Sequence, residues 1–239
     1  MPIPPTDIDE YHQENNNSKH EDTTKINTLK IPFIKNIGQI NSDNVKFYAK
    51  TFAGTVFITE DDLTYSFYKG TTPSQRLAIK ERFVDGSLQP LGVEKASSVV
   101  NYFVGDKENW RTNIPTFQTI SLGSVWPSID VIVMAHSNNL EKIFTIFPGG
   151  NLHDIRLKLD GIKNLQLSGR DELVAHSDLG SVLFTAPVAF QYINLERVYV
   201  DASYSLIDSQ TYGFKVANYD PRFPLIIDPL IASTFLGGH

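Results

Sequence analysis

The chain has 239 residues, 41% hydrophobic and 11% aromatic, with a net charge of −6, a size that suits one large β domain or two small ones with a self-sufficient core. It contains no cysteine, which excludes disulfides, thiolate metal sites and cysteine nucleophiles. Its nearly balanced body lacks the clustered Lys and Arg that nucleic acid requires, so no nucleic-acid partner is expected.

Residues 1–30 read as a disordered polar tail. Three prolines (Pro2, Pro4, Pro5) precede HQENNNSKHEDTTK, and too few apolar side chains follow to offset the entropy of ordering. The start lacks the basic and apolar regions of a secretory signal. No apolar run reaches the ~18 residues of a membrane span. From Ile31 the pattern has period two. VKFYAK (45–50), TVFIT (55–59), LTYSFY (63–68) and LAIKERF (77–83) each predict a strand, the last alternating Leu77, Ile79, Glu81 and Phe83. Further strands are predicted over 99–105, 117–122, 130–135 and 140–147, the last two joined as a hairpin through Ser137, Asn138 and Asn139. After the turn at Pro148–Asn151 come 156–160, 165–168, 172–176, 181–185, 188–193, 197–206 and 212–217. Breakers recur every ~8–12 residues, as in sandwiches and barrels. No amphipathic helix of three turns is found. The gaps are also too short for parallel crossovers. The expected fold is therefore all-β, antiparallel and sandwich-like over 31–230. The pattern allows two packed β subdomains meeting near 117–128.

Catalytic chemistry finds no foothold. There is no G-x-S-x-G elbow around Ser124, Ser168 or Ser181. His136, His153 and His176 are not at zinc-ligand spacing. Glu60, Asp61 and Asp62 cluster without a calcium-loop pattern and read as a solvated turn. Asp130, Glu141, Asp160, Glu172 and Asp178 offer carboxylates, but nothing selects a glycosidase pair. No phosphate loop exists. No catalytic residue, metal or cofactor is therefore expected. Aromatic residues crowd the middle of the chain: Tyr102, Phe103, Trp110, Phe117 and Trp126. They form a belt of the core or a platform for a glycan or peptide, with Tyr102, Trp110 and Trp126 as the candidate binding residues. Trp110 stands among polar neighbours and is the one expected to be partly exposed.

Several segments together resemble one family. They are FIKNIGQI (33–40), TVFIT (55–59), VNYFVGD with WRTNIPTF (100–117), VWPSIDVIV (125–133), LEKIFTIFPGG (140–150) and YDPRFPLIIDPLIASTFLGG (219–238). The resemblance is to an uncharacterised N-terminal domain of bacterial and archaeal surface proteins that carry SBBP-type β-propeller repeats. It implies a secreted or cell-surface module for adhesion, assembly or capping, with propeller repeats as partners in cis. Without a signal in this chain, a cytosolic reading stays open beside it. The S-T-F-L-G-G element occurs once, so 231–239 reads as the start of a truncated repeat that pairs poorly in isolation. The matching residues have structural roles. Gly38, Gly105, Gly149 and Gly150 suit turns at positive φ. Asn36, Gln39 and Asn101 cap backbone groups. Asp220-Pro221 and Asp228-Pro229 set extended entries to turns. A carbohydrate-binding or carbohydrate-active domain built on the Tyr102–Trp126 aromatics is the alternative.

Overall fold

The computed structural model describes residues 29–68, 76–137 and 139–236. Residues 1–28 of the expected polar tail, and 237–239, lie outside the described residues. The described residues form twenty strands, numbered below in chain order, and two 3-10 turns at Lys107–Asn109 and Leu152–Asp154, with no α-helix. None of their helical turns is long and apolar enough to cross a membrane.

All ladders are antiparallel. One path starts at β17 (Ala202–Leu206) and passes through β18 (Thr211–Val216), β11 (Leu157–Asp160), β6 (Arg76–Phe83) and β5 (Asp62–Tyr68). It continues through β4 (Gly54–Thr59), β3 (Val45–Thr51) and β2 (Phe33–Lys35) to the long β8 (Arg111–Trp126). Next come β9 (Ile129–His136) and β10 (Asn139–Ile146), while β7 (Leu91–Tyr102) lines the other side of β8 and β1 (Lys30–Ile31) the end of β9. At β10 the sheet forks. One branch is β19 (Leu225–Asp228), β15 (Val188–Ile193) and β16 (Glu196–Val200). The other is β20 (Leu230–Leu236), β14 (Gly180–Phe184), β13 (Leu173–Ser177) and β12 (Asn164–Leu167). No path of ladders returns to its start, so the sheet is open. It covers itself instead, and one apolar core runs from Phe33 to Ile227. A smaller cluster, Met134 and Ile143 with Ile132 and Ile226, lies on the opposite face of β9, β10 and β19.

The alternation that predicts the strands also sets their faces. In β6 the burial alternates strictly, with Leu77, Ile79, Glu81 and Phe83 inward. Most predicted strands lie within a residue or two of observed ones, and the differences have physical causes. Residues 197–206 are two strands, because at Asp201 the chain leaves the β15 ladder and joins that of β18. Strand β7 starts at Leu91 and ends at Tyr102, not 99–105. Its early part hides in sequence because most of its side chains are exposed. Gly92 is required there by space. A Cβ would stand 2.3 Å from the Phe117 ring, so the strand crosses that ring only as glycine. Residues 117–128 run along β8 into its turn with β9.

Two expectations near the end are corrected. Part of 231–236 is paired: Ile231 and Ala232 of β20 lie between β10 and β14, and Leu236 pairs with Ser181 of β14. Asp228-Pro229 is no entry to a turn. It passes the chain directly from β19 to β20, and proline is tolerated because it falls between the two ladders.

Candidate functional site

The core contains a closed polar cluster at one inward position each of β6 and β10, whose other core-facing residues are apolar. Glu81 of β6 and Lys142 of β10 are fully buried, with Lys142 Nζ 2.5 Å from Glu81 Oε1. The Tyr212 hydroxyl donates to Glu81 Oε1 at 2.6 Å and accepts from Lys142 Nζ at 3.0 Å. The Tyr65 hydroxyl donates to Glu81 Oε2 at 2.6 Å. Nζ also lies 5.6 Å from the Phe184 ring centre and 5.7 Å from that of Tyr212, so the charge is held by an aromatic cage. Burial lowers the Lys142 ammonium below its ordinary range, against the pull of Glu81. Burial, then the Glu81 charge, pushes the Tyr65 and Tyr212 hydroxyls well up. No solvent reaches either charged side chain, so the cluster does not bind a soluble ligand. It was detectable in sequence as Glu81 in the Leu77–Phe83 alternation and Lys142 between Leu140 and Phe144.

A second polar group lies on the opposite face. His136 Nε2 is 2.9 Å from Glu141 Oε2, and Asp228 bonds to Glu141 from β19. All three are buried. Burial and the neighbouring Glu141 charge hold the Asp228 carboxyl well above the usual range. No group of three His, Cys, Asp or Glu among the described residues is arranged to hold a metal ion. A Ser–His contact also exists: His176 Nδ1 lies 2.8 Å from Ser181 Oγ across β13 and β14. The third partner is Gln166 Oε1, 3.0 Å from Nε2. That amide is neutral and cannot stabilise an imidazolium as a carboxylate does. The acidic turn is occupied internally: Thr59 Oγ1 accepts from the Asp61 and Asp62 amides, Lys46 pairs with Glu60 and Lys80 with Asp62.

The residues of the family resemblance converge elsewhere, at the base of the β7–β8 arm. Asn36 Nδ2 donates to the carbonyls of Ile40, Ser42 and Val45, and its Oδ1 accepts from the Gly38 and Ile40 amides. Gln39 bonds the Lys35 carbonyl and the Ile37 amide. Gly38 has φ 105°, a region open to glycine at little cost. Arg111 crosses from the arm to this loop: Nε donates to the Ile37 carbonyl at 3.4 Å and Nη1 to the Glu108 and Trp110 carbonyls at 2.8 and 3.0 Å. Asn101 Oδ1 accepts from the Asn113 amide, tying β7 to β8 where Asn113 takes φ 56°.

Beyond this anchor the arm ends in an apolar tip. Trp110 is 40% exposed and Phe103 56%, their rings edge to face at 5.1 Å, with Lys107 Nζ 5.9 Å from the indole centre. Val104 beside them is exposed, as are Leu91, Val93 and Val99 of β7. Among the described residues the outer edge of β7 pairs with no strand. Tyr102 is half-buried and close enough to Tyr48 to raise its hydroxyl, after burial raises it and Gln39 lowers it. Of the three aromatic candidates, Trp110 and Tyr102 thus belong to the arm. Trp126 is corrected. It is core, 5.8 Å from Phe83, and donates its Nε1–H to the Val84 carbonyl at 3.0 Å.

The remaining motif residues hold backbone. Gly105 and Gly149 have φ 69° and 93°. Gly150 is not at positive φ and is constrained by space, since a Cβ would stand 2.8 Å from the Ser128 carbonyl. Asp220 grips Arg222, whose hydrogen bonds lower its carboxyl to about 2, and Gln191 clamps this bend through the Asp220 amide and the Asp220 and Phe223 carbonyls.

No curated protein and no solved structure matches the chain. Residues 33–230 match a family described as a domain of unknown function, DUF7948. That match spans the sheet from β2 to the first residue of β20, and by it the chain belongs to the DUF7948 family.

Proposed function

We propose that this chain is a non-catalytic binding module of a secreted or cell-surface protein, working through the tip of the β7–β8 arm. The supporting observation is the Phe103–Trp110 pair, apolar, solvent-exposed and backed by the Arg111 hydrogen bonds. Such a preorganised aromatic pair loses little entropy on binding, and interface energy concentrates at such anchors. The partner in this reading is the set of β-propeller repeats implied by the family resemblance, bound in cis. The glycan alternative is weaker. A sugar face wants a flat platform, and the two rings stand at 75°, while Trp126 is absent from the arm.

The test is titration of the immobilised domain with a purified array of SBBP-type β-propeller repeats, alongside a glycan array. Trp110→Ala should weaken binding to the repeats about tenfold or more, as a hot-spot residue does. Its thermal stability should move by less than the equivalent of ~0.5 kcal/mol, because the site is a surface one. Trp110-dependent glycan binding without repeat binding would favour the alternative. Binding to neither, or binding indifferent to Trp110, would remove the proposal.

A further inference from the structure

We propose that Glu81 and Lys142 condense into an intramolecular amide, cross-linking β6 to β10 inside the core. The two groups are 61 residues apart in sequence, completely enclosed, and held at 2.5 Å between Nζ and Oε1. Four conditions for an uncatalysed condensation meet there.

First, the reactants are fixed face to face, which replaces an encounter by a unimolecular step. Second, transfer of the ammonium proton across the Nζ–Oε1 contact gives the reactive form, a neutral amine beside a carboxylic acid, which leaves no charge desolvated. The lowered proton affinity of Lys142 agrees with this. Third, both carboxyl oxygens already accept a hydrogen bond from a tyrosine, Oε1 from Tyr212 and Oε2 from Tyr65. Those hydroxyls stabilise the charge that develops on oxygen when Nζ adds to Cδ. Fourth, the Tyr212 hydroxyl touches both Nζ (3.0 Å) and Oε1 (2.6 Å). It relays a proton from nitrogen to the departing oxygen.

The balance is simple. The Nζ–Cδ bond forms, one Cδ–O bond breaks, and the amine and acid hydrogens leave with that oxygen as water. No oxidant, cofactor or activated donor is needed.

The experiment is intact mass measurement of the full chain under denaturing conditions. The expected mass is one water below that of the sequence. Trypsin should then leave the dipeptide Glu81-Arg82 branched from an uncleaved peptide spanning residues 112–156, because an acylated Lys142 is not a cleavage site. Lys142→Arg should return the full sequence mass. In Tyr212→Phe the cross-linked fraction should build up more slowly after synthesis. A wild-type chain of full sequence mass overturns the proposal. So does a missing water that persists in Lys142→Arg, since it would come from another site. The wild-type measurement needs no variant to fold.

Discussion

Lys142→Met alone destabilises the fold by about 3–5 kcal/mol, the range for breaking a buried ion pair by removing one partner. The loss comes from Glu81, left without a cation at a position with no solvent. Two hydroxyls still point at it, but neither carries the compensating charge. Adding Glu81→Gln to Lys142→Met removes the stranded charge and keeps a carbonyl acceptor for Tyr65 or Tyr212. If the pair is only ionic, the double variant recovers most of the loss, since replacing both partners of a buried pair is often near neutral. If an amide closes the loop, it does not recover. A closed loop of ~60 residues contributes about 4 kcal/mol through the unfolded chain, and that contribution is absent from both variants. Urea denaturation of the wild type and the two variants reads these outcomes directly.

The second large effect is at Asp228 and depends on pH. Its carboxyl binds a proton more tightly when folded than when unfolded, because burial and the Glu141 charge oppose ionisation. A raised folded-state value places the full stabilising contribution below about pH 4, the unfolded range for aspartate. The contribution is lost as pH rises from there through the folded value. Asp228→Asn keeps a hydrogen-bond donor toward Glu141 and does not ionise. Stability measured by urea denaturation should therefore be little changed at pH 4. At pH 8 it should exceed the wild type by about 1–3 kcal/mol, the cost of a poorly compensated buried polar group. Equal pH slopes for the two proteins would show that Asp228 titrates as an ordinary surface acid.

The strand content was legible from alternation, because period two survives wherever one face is buried. Strand β6 shows this plainly, with every second side chain buried. Legibility failed where that condition fails. In β7 most side chains on both faces meet solvent, so Leu91–Ser98 carries no pattern. At 197–206 the alternation runs on while the backbone changes partner, and alternation does not encode partners. Strands β19 and β20 were obscured by Pro224 and Pro229, which read as breakers although each sits at a strand boundary. The binding candidates show the same limit. Polar neighbours around Trp110 signalled its exposure, but it is not the one exposed ring of the group, since Phe103 is more exposed. Trp126 carried no local cue to its contact with Val84, which comes from a distant part of the chain. The buried pair was visible as Glu81 and Lys142 in apolar phase, but only the fold shows that the two positions face each other.

In the folded sheet the start of β20 is interior, between β10 and β14, and β7 is a free edge. Native-state hydrogen exchange tests that arrangement most directly. The amides of Ile231 and Ala232 should be protected together with those of β10, and the outward-facing amides of β7 should exchange far faster than either. Rapid exchange at Ile231 and Ala232, or protection of β7 equal to that of β10 in the isolated chain, would contradict it.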